Sequence, residues 1–161
     1  MKSNRIALVI AAVAGTAAVA TGCAAGPGAA TLQIQPNFAA GAAGDVQAQN
    51  MVVVVDPATG AAQVTGTVIN NGDQAATLTG VSLNGKAVSL GSAAGLTVAP
   101  HASLNLAAPT GPKVVLAASG AKAGHNSPVS LTFAGGAAIS VAAQTEPNTG
   151  IYQQFQPSAT S

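Results

Sequence analysis

The sequence predicts an all-β fold, a sandwich of antiparallel sheets, and three observations carry that expectation. Short runs rich in Val, Ile, Thr and Leu recur from about residue 46 to residue 143. Turn-forming Gly, Pro, Asn and Asp clusters separate them at near-regular intervals. No stretch of that region carries the apolar periodicity of an amphipathic helix, despite abundant alanine.

The first predicted strand is Val46–Val55, which ends in Met51-Val52-Val53-Val54-Val55; β-branched side chains in series favour the extended backbone. Asp56-Pro57-Ala58-Thr59-Gly60 reads as a turn, with Pro fixing φ and Gly releasing it. Gln63–Ile69 alternates, Val64, Gly66 and Val68 against Thr65, Thr67 and Ile69, the pattern of a half-buried strand before the turn Asn70-Asn71-Gly72-Asp73. Thr77–Leu83 sets Leu78, Gly80 and Ser82 on one side and Thr79, Val81 and Leu83 on the other. Asn84-Gly85 then precedes Lys86-Ala87-Val88. Both turn residues tolerate the positive φ of a type I′ turn, so the pair predicts a tight hairpin. Further strands are predicted at Leu96–Val98, Ser103–Leu106, Val114–Leu116, Val129–Phe133 and Ala138–Val141.

The N-terminus reads as an export signal. Lys2 and Arg5 precede the apolar stretch Ile6–Ala20, which is 15 residues long. That suits a signal-peptide core of about 7–15 residues and falls short of the roughly 20 that a spanning helix needs. Ala20-Thr21-Gly22-Cys23 resembles the bacterial lipobox, in which small residues precede a cysteine that receives diacylglycerol and becomes the new N-terminus. Small side chains let a peptidase groove close on the scissile bond, and a thiol forms the reactive anion far more readily than a hydroxyl does. Cys23 is the only cysteine, so it has no disulfide partner within the chain, and lipidation explains it. The expected organisation is a signal peptide over residues 1–22, a flexible Ala/Gly/Pro-rich tether over 23–44, a β-sandwich domain over 45–143 and a loose tail over 144–161. The expected location is the outer face of the cytoplasmic membrane, with the membrane itself as a partner through the anchor.

Without residues 1–22, the charged side chains are Lys86, Lys113 and Lys122 against Asp45, Asp56, Asp73 and Glu146, a net charge of −1 with histidines neutral. No basic run and almost no aromatic residue is present, so nucleic acid has nothing to dock on. No Gly-x-Ser-x-Gly turn occurs, the acids are scattered singly, and no glycine loop opens a helix. The chain is therefore read as a non-enzyme.

From Thr67 to Val141 the order of features resembles the PCuAC-type copper chaperone family and its actinobacterial lipoprotein relatives. The matching elements are Val68-Ile69-Asn70-Asn71-Gly72-Asp73, Leu78-Thr79-Gly80-Val81-Ser82, and Leu96-Thr97-Val98-Ala99-Pro100 with Leu104-Asn105-Leu106. They continue through Ser127-Pro128-Val129-Ser130-Leu131-Thr132-Phe133, Gly135-Gly136 and Ile139-Ser140-Val141. The resemblance implies a cupredoxin-like, immunoglobulin-like β-sandwich, and Cu(I) held by His and Met side chains in the copper-binding members; imidazole and thioether sulfur suit that soft ion. It also implies where those ligands fall. A His-x-Met pair belongs in the strand that here reads Gly111-Pro112-Lys113-Val114-Val115-Leu116, and an earlier His near Val88-Ser89-Leu90. Lys113 and Val115 occupy the two ligand places, and neither an ammonium nor an isopropyl group ligates Cu(I).

Beyond Cys23, three side chains with copper-binding chemistry follow the signal segment: Met51 in a valine run, His101 in a turn after Pro100, and His125 between Gly124 and Asn126. No two stand at the few-residue spacing of a ligand pair. Met51 reads as core filling and the histidines as loop residues, so no metal or cofactor is assigned. The leading expectation is an envelope lipoprotein whose β-sandwich is a non-catalytic binding or interaction module related to copper chaperones, acting on an envelope protein or ligand. The alternative is a divergent copper chaperone with a Met51/His101/His125 site.

Overall fold

The computed structural model describes residues 39–157 apart from Gly91 and Ala93; the signal segment, Cys23 and most of the tether lie outside the described residues. Ten strands run in order: β1 Ala39–Ala43, β2 Val46–Val55, β3 Ala62–Asn70, β4 Ala76–Leu83 and β5 Lys86–Val88. They continue as β6 Leu96–Val98, β7 Ala102–Asn105, β8 Val114–Leu116, β9 Asn126–Phe133 and β10 Ala138–Pro147. The all-β expectation holds, and every strand expected from residue 46 onward is present.

The strands follow the path β5-β4-β9-β10-β2-β3-β7, with β1 on β2, β6 on β4 and β8 on β3. β3 and β4 are each shared lengthwise. The Thr67–Asn70 half of β3 pairs with β7 and its Ala62–Val64 end with β8. Likewise Ala76–Leu78 of β4 pairs with β6, and Val81–Leu83 with β5. The turn between β6 and β7 links one end of the molecule, and a Ser89–Val115 bridge between β5 and β8 closes the other. The sheet is thereby curled into two faces around one core.

Alternation fills that core. β9 points Ser127, Val129, Leu131 and Phe133 inward, and β10 points Ile139, Val141, Ala143 and Thr145 inward to meet them. In β2 the inward set is Val46 and Ala48, then Met51, Val53 and Val55, so the parity flips midway. The cause is a β-bulge: Asn50 and Met51 together oppose Gly66, and Asn50 adopts φ +53°. A second register shift between Leu78 and Gly80 turns Leu78 inward along with Val81 and Leu83. The strict alternation expected for β4 is corrected there.

Two boundaries also change. β1 lies inside the segment expected to be tether, because its backbone pairs with β2 from Ala39 opposite Met51 to Ala43 opposite Val46. The first residues expected to be tail, Gln144–Pro147, continue β10 and pair in parallel with Val52–Val55, so the sheet is mixed rather than wholly antiparallel. After a single 3-10 turn, Gly150–Tyr152, the chain lies over the outer face of β2 and β3, with Tyr152 and Phe155 beside Val52 and Thr67. Their rings are 6.3 Å apart, Pro157 is buried, and Ile151 is the one large apolar side chain left exposed among the described residues.

Turn chemistry follows the expected residues. Asn84 and Gly85 take φ +52° and +77°, the left-handed pair of the hairpin. Asp56 accepts the Thr59 hydroxyl at 2.7 Å and the Ala58 N–H at 2.9 Å, and these bonds, the Thr59 one foremost, hold its carboxyl below the usual range.

Candidate functional site

The β5–β8 seam is where the sequence resemblance sets the copper ligands, and the fold brings the two stretches together. Val88 and Leu90 point into the core, Ser89 faces outward, and Ser89 bridges Val115. Val115 is half-buried, and Lys113 is exposed at the start of β8. The implied ligand places are therefore neighbours in space, but they carry a hydroxyl, an ammonium and an isopropyl group. That donor set does not fit Cu(I), which takes thioether, thiolate and imidazole ligands.

The substitute ligands stand apart. Met51 is 1% exposed, and its sulfur lies against Gly66, where an added Cβ would approach it to 2.5 Å. His101 follows β6 at φ +52°; its Nε2 lies 2.9 Å from Asp73 Oδ1, and both groups are largely in solvent. This pair ties the turn after β3 to the turn before β7, where Asn70 opposes Ala102. His125 belongs to the other end: its carbonyl accepts from Thr145 N–H, and it shares a cleft with Ser119, whose N–H and hydroxyl both donate to Gly60 O. β3, which separates the two ends, is about 26 Å long at ~3.3 Å per residue. Met51, His101 and His125 do not converge, and the described residues contain no group of three His, Cys, Asp or Glu side chains placed to hold a metal. Cys23 lies outside the described residues.

Next to the seam is a feature that sequence reasoning missed. An open cleft of about 370 Å³ is bordered by Asn84, Lys86, Lys122, His125, Asn126 and Ser127. Its walls are pinned. Lys86 Nζ donates to Ala118 O at 2.7 Å, and Asn84 Nδ2 donates to Ser119 O at 3.2 Å. Ser119 is fully buried against the Asp56–Gly60 turn. At its base Ser127 Oγ and Thr145 Oγ1 share a buried hydrogen bond of 2.8 Å. The only sequence hint was a lysine directly after the Asn-Gly turn; its meeting with residues 119–127 is a long-range event.

Comparison with solved structures places this architecture. A copper-bound PCuAC domain from PmoF2 superposes with a TM-score of 0.56 at 21% identity, over 66% of this chain and 96% of that one. The fold is that of a PCuAC domain. An apo PCuAC domain from PmoF1 gives the same TM-score and identity over 66% of this chain and 97% of its own. The apo PmoF2 PCuAC domain gives 0.55 at 18% identity over 69% and 97%. No protein-family model and no curated protein matches the chain. The likeness shown is of the PCuAC fold.

Proposed function

We propose that the chain is a lipid-anchored, non-catalytic binding module at the outer face of the cytoplasmic membrane, built on the PCuAC frame without its copper chemistry. The observation that carries this reading is the β5–β8 seam, where Ser89, Lys113 and Val115 occupy the places implied for the ligands. Copper is a soft ion, and none of these side chains is a soft or imidazole donor. Dispersal of Met51, His101 and His125 removes the motive for a substitute site.

The anchor rests on Ala20-Thr21-Gly22-Cys23 behind a signal-like apolar stretch. One acyl chain gives marginal, reversible membrane binding, whereas two give stable anchoring; a diacylglyceryl thioether on Cys23 supplies two. The non-catalytic reading rests on the spacing of the acids. Asp45 and Asp73 lie near the Asn70 end, Asp56 is engaged by its own turn, and Glu146 is bound by Gln144 on the outer face of β10. The partner is an envelope protein or ligand engaged by the folded domain.

Fractionation of cells expressing the wild-type chain and Cys23→Ala tests the anchor. The wild type is expected in the membrane fraction and the variant in the soluble fraction. Identical partitioning of the two would contradict the proposal.

A further inference from the structure

We propose that the cleft lined by Lys86, Lys122 and His125 is a binding site for a phosphate-class oxyanion. This goes beyond the binding-module reading and is independent of the Cys23 anchor and of the copper question.

Charge distribution is the first argument. The domain has few charges, yet two of its three lysines and one of its two histidines border this one opening, and no acid borders it. The acids are placed elsewhere. Asp45 and Asp73 lie at the opposite end of β3, where Asp45 O accepts from Asn71 N–H and Asp73 pairs with His101. Asp56, on the adjacent turn, has its carboxylate occupied by Ala58 and Thr59. Glu146 follows Thr145, which points inward onto Ser127, so alternation along β10 turns the carboxylate to the other face. Unlike charges that neutralise one another lose their hold on a third ion. Here Lys122 and His125 have no ion-pair partner among the described residues, and Lys86 spends one of three donors on Ala118 O.

Preorganisation is the second. Ser119 clamps the 119–127 loop to Gly60, Asn84 ties the β4–β5 hairpin to the same loop, and Asn84 N–H donates to Pro128 O at 2.9 Å. Gly120 and Gly124 take φ +70° and +79°, which bends the loop back so that Lys122 and His125 border the same opening. A site held in shape before its ligand arrives loses less entropy on binding.

The donor set selects the anion. Two ammonium groups and an imidazole, with Asn126 beside them, offer more N–H donors than the two oxygens of a carboxylate can accept. A tetrahedral phosphate or phosphodiester presents enough oxygens to take them from several directions, and lysine is a common point-charge partner for phosphate. Two sources share this chemistry: free inorganic phosphate, and the phosphodiester of an anionic glycerophospholipid headgroup.

The test uses two soluble probes, inorganic phosphate and glycerophosphoglycerol, titrated into the purified full chain at ionic strength fixed with sodium chloride. Backbone amide shifts are recorded for the wild type, Lys86→Gln/Lys122→Gln and Lys113→Gln. Glutamine keeps an N–H donor at each position, and Lys113 is a lysine outside the cleft. Saturable shifts centred on residues 84–86 and 119–127 are expected. The double variant weakens them at least about tenfold, because hydrogen bonds from charged donors are the strong ones, while Lys113→Gln binds like the wild type. Tighter binding of glycerophosphoglycerol assigns the headgroup as the source, and tighter binding of phosphate assigns the free anion. No saturable shift with either probe, or equal weakening by Lys113→Gln, overturns the proposal. Thermal unfolding of each variant establishes that a loss of shifts is not a loss of fold.

Discussion

Ser89 and Val115 pair across the seam between β5 and β8, which brings together two stretches 26 positions apart in sequence. Their pairing completes the curl of the sheet at the end opposite the His101–Asp73 contact. It also sets the side chains at the implied copper positions side by side. The seam thus holds the positions that the resemblance implies for ligands, filled by side chains that do not suit copper.

That distinction predicts a gain of function. Ser89→His combined with Lys113→His and Val115→Met restores imidazole and thioether groups at neighbouring positions, two of them exposed and one half-buried. The triple variant is expected to hold Cu(I) at least about tenfold more tightly than the wild type in competition with a chelator. Equal retention by the two would show that side-chain chemistry at the seam is not what separates them.

Asn70 is predicted to be the most sensitive polar position in the domain. It is 1% exposed; its Nδ2 lies 2.7 Å from Gln74 O and 3.2 Å from the carbonyls of Val98 and Ala99, and its Oδ1 accepts from Gly72 N–H at 3.0 Å. One side chain thereby joins the turn after β3 to the end of β6. Asn70→Ala removes the donor to the buried Val98 carbonyl and to the part-buried carbonyls of Gln74 and Ala99, at a cost of about 1–3 kcal/mol. Urea unfolding measures it, and a loss below about 0.5 kcal/mol would contradict the assignment.

The hydroxyl pair beneath the cleft makes a non-additive prediction. Ser127 and Thr145 are 3% and 0% exposed, and each hydroxyl is the other's partner. Thr145→Val strands the serine hydroxyl and should cost about 1–3 kcal/mol, whereas Ser127→Ala with Thr145→Val should recover most of that loss. Simple addition of the two single losses would show that the pair is not coupled.

Gly66 has two reasons to be glycine. It sits at φ +135° opposite the β2 bulge, and a Cβ there would meet Met51 Sδ at 2.5 Å and Gln49 O at 3.0 Å. Gly66→Ala is expected to lose about 1–3 kcal/mol in urea unfolding. Met51→Ala would remove the sulfur contact but not the backbone one, so only partial recovery is expected in the double variant.

Much of this fold was legible in the sequence, and what was not has definite causes. The Asn84-Gly85 hairpin and the Val46–Val55 strand were legible because turn chemistry and β-branching act locally. β1 was not, since its five residues are alanine and glycine and its strand state comes from the free edge of β2. Gln144–Pro147 lacks apolar alternation, and its extension as a strand follows from parallel pairing with the valines of β2. The bulges at Asn50 and near Leu78 invert which residues face inward, and a period-2 reading cannot register an inserted residue. The resemblance drew attention to the 88–90 and 111–116 stretches, but their pairing is a long-range contact that local pattern does not carry. The cationic cleft was not, because Lys86 and Lys122 meet only through the bonds that bring the 118–119 stretch to the hairpin.

The central claim is that this PCuAC fold does not hold copper, and Cu(I) titration of the purified wild-type chain against a competing chelator tests it most directly. The account predicts that the chelator keeps its Cu(I) throughout. Stoichiometric withdrawal of Cu(I) by the wild-type chain would contradict it.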